Sequence, residues 1–265
     1  VQTGLEFADL DVVRAYRHRA DYPAALYDHL LTLTPGHTRL LDLGCGPGKL
    51  AAGLAPAFTE VVAADPSRPM LDVARDLHAA GHPNIFWVEA TGEALRLDEP
   101  LDLVVAGASI HWMDPAIVFP KLHGALRQNG VLAVIGGDGP AAAEWLPAWQ
   151  AVCENWITRF GGTWNDVSYR QRMSAHESWF EVEGERSFES RSIQPIEQLI
   201  EAQHSRATWA RSTMGDAAQA FDNDLRDALA SHAMDGAVEF TVRCQVTWGR
   251  PRAASSAGTP AGSAR

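Results

Sequence analysis

In the first half of the chain, short apolar runs alternate with segments of helical spacing. Arg39–Leu43, Glu60–Ala64, Asn84–Glu89, Leu101–Ala106 and Val131–Ile135 are five such runs, each bounded by glycine, proline or polar residues. Continuous short runs predict strands buried on both faces, as in a parallel sheet covered by helices. The segments between them predict those helices. One runs from about Gly48 to Ala55, and one from Ser67 to Ala80, closed by Gly81. A third runs to Leu126 from Asp114, whose side chain suits an N-cap. Two more precede the first strand. Residues 6–18 carry Phe7, Leu10 and Val13 on one face, and Pro23 opens a helix that reaches about Leu33 before Pro35-Gly36 stops it. The alternation predicts a doubly wound α/β fold.

The pattern changes after Pro140. Ala141 to Phe160 reads as a helix carrying Trp145, Trp149 and Trp156, broken by Gly161-Gly162. Residues 163–182 read as irregular or helical, with Trp164, Tyr169, Trp179 and Phe180. A strand is expected near Arg186 to Ile193, helices from Pro195 to about Trp209 and from Asp216 to His232, and a strong last strand from Ala237 to Trp248. The expectation is a mostly parallel seven-stranded sheet with a helical cap inserted between its fifth and sixth strands. Along the chain, residues 1–140 form the core with N-terminal helices and 141–184 an aromatic-rich substrate cap. Residues 185–250 complete the sheet with further helices, and the Ala/Ser/Gly/Pro-rich tail 251–265 is expected to be disordered.

Composition narrows the partners. A length of 265 residues suits one large α/β domain with an elaboration. The formal net charge is −11 and the densest basic stretch, Arg14 to Arg19, is short, which argues against a nucleic-acid partner. No apolar run approaches the roughly 20 residues of a membrane span, and the acidic start without a hydrophobic signal core speaks against secretion. Cys45, Cys153 and Cys244 are odd in number, far apart and without CxxC spacing. Neither a disulfide framework nor a metal site is expected, and no HExxH occurs. The expected setting is the cytoplasm, with a small-molecule partner and no membrane, as a monomer or homodimer.

The strongest chemical signal is Leu40-Leu41-Asp42-Leu43-Gly44-Cys45-Gly46-Pro47-Gly48. A strand enters a loop with glycine at alternate positions, and a helix leaves it. Lacking side chains, the glycines let backbone approach a ligand. Asp65 follows Asp42 by 23 residues at the end of the second strand, where an acid accepts ribose hydroxyls. A dinucleotide site shares this layout, but its spacing is G-x-G-x-x-G, and here it is G-x-G-x-G. Asp42 would repel a pyrophosphate and attract an ammonium. The charge pattern therefore favours a nucleoside carrying an amino-acid group, with a nicotinamide dinucleotide as the weaker alternative.

Four further segments extend the signal: Asp65-Pro66-Ser67-Arg68-Pro69-Met70, Glu89-Ala90-Thr91-Gly92-Glu93-Ala94-Leu95, Leu103 through Ala108 to His111-Trp112, and Tyr16-Arg17-His18-Arg19-Ala20-Asp21-Tyr22-Pro23. Together with the glycine loop they resemble the class I S-adenosylmethionine-dependent methyltransferases. The likeness is greatest to the small-molecule group related to ubiquinone-biosynthesis and trans-aconitate methyltransferases. It covers residues 12–137 well, Phe240–Arg250 in outline and 141–235 loosely. The resemblance implies a Rossmann-like fold and S-adenosylmethionine as cofactor. It implies that Gly44, Cys45 and Gly46 line the methionine moiety, with Asp65 and Pro66 on the ribose and Met70 on the adenine face. Thr91, Gly92 and Glu93 would lie at the adenine edge, Ala108 beside the donor, and Tyr16 and Arg19 at the cofactor carboxylate. A planar guanidinium fork suits that last role. Ala20 stands where the family pattern has proline.

Methyl transfer needs a base only where the nucleophile must lose a proton. His111, just past the fourth strand, is the best placed catalytic candidate, and framing the pocket is its other reading. Tyr22, Trp112, Trp145, Trp149 and His204 are the candidates for the substrate pocket. An aromatic-lined cleft would take a hydrophobic or aromatic metabolite, while tryptophans four apart on one helix face also suit a core. A non-catalytic cofactor-binding or assembly protein of the same fold is the alternative, because no unambiguous base is visible.

Overall fold

The computed structural model describes residues 9–162, 173 and 176–253. Parts of the N-terminal helix, of segment 163–182 (with Trp164 and Tyr169) and of the tail lie outside them. The first half follows the predicted alternation. Helices α1 (Leu10–Tyr16) and α2 (Ala24–Thr32) lead into β1 (Arg39–Leu43), α3 (Lys49–Leu54), β2 (Glu60–Asp65), α4 (Arg68–His78) and β3 (Ile85–Glu89). Then come β4 (Leu101–Gly107), α5 (Pro115–Ala125) and β5 (Leu126–Gly136). The caps have local causes: Ser67 accepts from Met70 N at the start of α4, and Asp114 from Ala116 N at the start of α5.

The second half departs from expectation in three places. The helix expected from Ala141 is preceded by a three-residue strand, β6 (Pro140–Ala142), and begins only at α6 (Leu146–Arg159). Strand β7 runs over Phe180–Pro195, twice the length expected. Its outward positions are so rich in Glu and Arg that alternation is visible only at its far end, and such charges protect an edge strand from pairing. The helix expected from Pro195 to Trp209 ends early, as α7 (Ile196–His204). A short α8 (Arg211–Met214) and α9 (Ala218–Ala230) lead to β8 (Ala237–Pro251).

Strands β1 to β5 are parallel, in the order β3-β2-β1-β4-β5. Strand β8 runs antiparallel to β5, and both β6 and β7 pair with β8. This is the mostly parallel Rossmann-like sheet of seven long strands, with β6 as a short eighth. Alternate residues of each strand feed opposite faces. Leu40, Val61, Leu103 and Ala133 pack with α2 and α3 on one side, and Leu41, Val62, Val104 and Leu132 with α5 on the other.

The helical lobe is not residues 141–184. That boundary falls inside β7, and α6 packs instead with α7 and α9 in a core of Trp145, Trp149, Trp156, Leu199, Trp209, Phe221 and Leu225. Among the described residues no helix is long and apolar enough to cross a membrane.

Candidate active site

Strand order reverses at β1, whose neighbours are β2 and β4. Open α/β sheets bind ligands outside the carboxyl ends of their strands at such a point. A cavity opens there. Gly44 and Gly46 line it after β1, Asp65, Pro66 and Met70 after β2, and Thr91, Gly92 and Glu93 after β3. Gly107, Ala108, Ser109, Trp112 and Met113 line it after β4, and Tyr16 closes it from α1. A smaller lobe shares Tyr16, Gly44, Gly46 and Gly107 with the first and continues to Arg19, Tyr22, Asp42, Cys45, Lys49 and Asp138. Every residue expected to hold the donor lines one lobe or the other.

The glycine loop has three left-handed residues, Gly44 (φ +73°), Gly46 (φ +52°) and Gly48 (φ +83°), a conformation costly for side-chain-bearing residues. Their surroundings differ. A Cβ on Gly44 would lie 2.4 Å from Ser109 Cβ, and one on Gly48 2.6 Å from the Trp87 ring. A Cβ on Gly46 would meet nothing within 4 Å, because that residue faces the cavity. Ser109 donates to Leu43 O at 2.5 Å, tying the end of β4 to the end of β1. Ala108, beside it, also has left-handed backbone, with φ +52°. Backbone of this kind gathers at functional sites.

Asp65 braces the loop. Its oxygens accept from Gly46 N and Ser67 N, both at 2.8 Å. Burial pushes this carboxyl up and the two N–H bonds pull it back, for a net rise. Asp42 lies deeper, 1% exposed, and accepts from Ala51 N at 2.9 Å, capping the first turn of α3 from beneath. Burial raises its carboxyl to about 7, with the Ala51 bond opposing and the charge of Asp65 adding. Asp42 is thus a structural cap that also lines the smaller lobe.

The loop after β3 is held by a residue the sequence did not single out. Lys121 of α5 donates to the carbonyls of Gly92, Glu93 and Leu95, and Glu93 accepts from Asp114 N at 2.8 Å. Arg19 is likewise tethered. Its Nε donates to Ser205 Oγ at 2.7 Å, Nη1 to Asp138 at 2.8 Å and Nη2 to Ser205 O at 3.1 Å. Its guanidinium lies 3.8 Å from the centre of the Tyr16 ring, within cation–π range. Lys49 and Asp138 were also missed, although Asp138 follows the carboxyl end of β5, where the strand-end rule looks.

The substrate candidates divide. Tyr22 and Trp112 line the lobes. Trp145 and Trp149 do not: both lie in the core of the helical lobe, and Trp145 Nε1 donates to Glu239 O. Their i,i+4 spacing is core packing. His204 is 2% exposed, with one ring nitrogen on Trp209 O and the other on Asp222. It too is structural and leaves the substrate set. His111 sits exposed on a 3-10 turn (Ile110–Trp112), its ring against Trp112, and lines neither lobe.

The cavity suits a nucleoside joined to an amino acid: a braced carboxylate beside a side-chain-free loop, an apolar wall of Pro66, Met70 and Met113, and a cation at the far end. Comparison with known proteins agrees. Residues 40–130 match the family model described as a methyltransferase domain. The matched segment spans β1 through the start of β5 and contains the whole glycine loop.

An uncharacterized methyltransferase of Mycobacterium tuberculosis (strain H37Rv) is 36% identical over 136 residues, 51% of this chain and 54% of that protein. A trans-aconitate 2-methyltransferase of Azoarcus sp. is 38% identical over 98 residues, 36% of this chain and 37% of that one. The chain thus spans about half, or less, of the curated relatives it matches. In fold, a solved structure of a proposed type II methyltransferase from Anaeromyxobacter dehalogenans superimposes with a TM-score of 0.65. It is 21% identical and covers 88% of this chain and 97% of its own.

Proposed function

We propose that this chain transfers the methyl group of S-adenosylmethionine to a small-molecule acceptor. The observation that carries the reading is a pair of adjoining lobes at the switch point that share Tyr16, Gly44, Gly46 and Gly107, with Asp65 bracing the glycine loop in one and Arg19 lining the other. S-adenosylmethionine supplies an electrophilic methyl group on a sulfonium. Asp65 would take the ribose hydroxyls, Pro66, Met70 and Met113 the base, Arg19 the carboxylate, and Asp42 would favour the ammonium from beneath the loop. What remains for the protein is to hold the acceptor in line, and alignment alone is worth effective molarities of up to ~10^5–10^8 M in favourable cases.

We take the acceptor to be a small apolar or aromatic molecule, a reading that rests on Trp112 in the lining of the larger lobe. The tryptophans of the helical lobe no longer support that class, because they pack against one another. Calorimetry with S-adenosylmethionine and S-adenosylhomocysteine tests the donor. Incorporation of labelled methyl from extracts into small molecules tests the transfer.

A second reading, a cofactor-binding protein without transfer, draws on the exposure of His111 and on the lack of a histidine lining either lobe among the described residues. Tight cofactor binding with no labelled product in any extract would favour it.

A further inference from the structure

The smaller lobe carries two cations and two carboxylates, and they are not equivalent. Lys49 has three N–H donors, and all are engaged, by Arg19 O, Ala20 O and Asp21. Arg19 has five, of which three are engaged by Asp138 and Ser205. Its other two have no partner among the described residues. Asp42 is sunk beneath the loop and bonded to Ala51.

Asp138 is presented by an irregularity in the sheet. Gly136 of β5 pairs with Gln245 and Pro140 of β6 with Val242, so Gly137, Asp138 and Gly139 bulge from a shared edge of β8. Gly137 has φ +90°, and a Cβ there would lie 2.4 Å from Arg243 O. Only glycine fits at position 137 of this bulge. Burial opposes charge on Asp138, but Arg19, with Arg206 and Lys49 behind it, holds its carboxyl down to about 2. Oδ2 accepts from Arg19, and Oδ1 has no hydrogen-bond partner among the described residues.

We propose that Asp138 is a specificity-determining residue of the donor cavity. Arg19 and Asp138, side by side, form a receptor for an α-amino acid group, the guanidinium taking the carboxylate and Oδ1 the ammonium. The inference rests on the donor reading above. An unpaired arginine would accept any anion, whereas this pair matches a zwitterion and penalises a ligand bearing only one of its charges.

Three thioethers separate the contributions: S-adenosylhomocysteine, its decarboxylated analogue, which keeps the amine, and methylthioadenosine, which has neither group. With the full chain, Asp138→Asn should bind the decarboxylated analogue about tenfold or more weakly, as expected for losing a charged hydrogen bond, and methylthioadenosine within about twofold of wild type. Arg19→Met should weaken S-adenosylhomocysteine and spare the decarboxylated analogue. Unchanged or tighter binding of the decarboxylated analogue to Asp138→Asn overturns the proposal, as does an equal loss for methylthioadenosine. The wild type provides a test that needs no variant: S-adenosylhomocysteine should bind about tenfold or more tightly than methylthioadenosine, and equal affinities would overturn the proposal. If the wild type binds none of the three, the donor reading itself fails.

Discussion

Gly44 and Gly46 look alike in the sequence and differ in the structure. Alanine at either meets left-handed backbone, which costs roughly 1–2 kcal/mol. At Gly44 the methyl also collides with Ser109, and at Gly46 it projects into the cavity. Gly46→Ala should therefore abolish nucleoside binding with a small fall in melting temperature, and Gly44→Ala should lower both. Calorimetry beside thermal melting reads this, and identical behaviour would contradict it. Asp42 allows a pH test. Its folded carboxyl titrates at about 7 against an ordinary value of 3.8, so between those values the folded state holds the extra proton. Stability then falls as pH rises from about 4 to 7. Asp42→Asn can still accept from Ala51 and carries no charge, so its stability relative to wild type should rise across that interval. A constant difference would count against the assignment.

Helices and strands of the first half were legible because each signal is local. A cap such as Ser67 or Asp114, a closing glycine, and an apolar run of strand length are all read within a few residues. The second half depends on distant partners. The alanines after Pro140 favour helix by propensity, yet Pro140 and Ala142 pair with Val242 and Thr241 of β8, a hundred residues on. Likewise β7 is drawn out to 16 residues by β8 and not by its own pattern. Trp145 and Trp149 could not be sorted into pocket or core without knowing that α7 and α9 cover them.

That helical lobe has its own ionic anchor. Asp222 of α9 accepts from Arg211 and bonds His204. Burial works against its charge, but these partners hold its carboxyl below the ordinary 3.8. A depressed acid contributes stability that is complete above the unfolded value and lost as pH falls through the folded one. Asp222→Asn should cost about 1–3 kcal/mol at neutral pH, the range for losing a hydrogen bond to a charged group, since Arg211 is about a third exposed and keeps Glu201. Denaturant unfolding should show the gap from wild type closing below about pH 4. A gap that persists unchanged at pH 3 would contradict this.

At the level of the molecule, three parts of the chain meet at one segment. Arg19 binds Ser205 at the end of α7 and Asp138 at the β5–β6 bulge, while Lys49 of the glycine-loop helix holds the carbonyls of Arg19 and Ala20. The residues that line the two lobes were legible because most stand at a strand end or in a motif of fixed spacing. Lys121, Ser109 and Asp138 were not, because their roles come from what folds against them. The acceptor's identity was not legible either, since the helical lobe's aromatics form a core. Binding of S-adenosylhomocysteine to the wild type and to Asp65→Ala, by calorimetry, is the most direct measurement. One molecule should bind per wild-type chain, and Asp65→Ala should bind it about tenfold or more weakly, since its ribose bonds go to a charged group. No binding to the wild type at millimolar concentration, or stoichiometric binding of NAD in its place, would contradict the donor assignment.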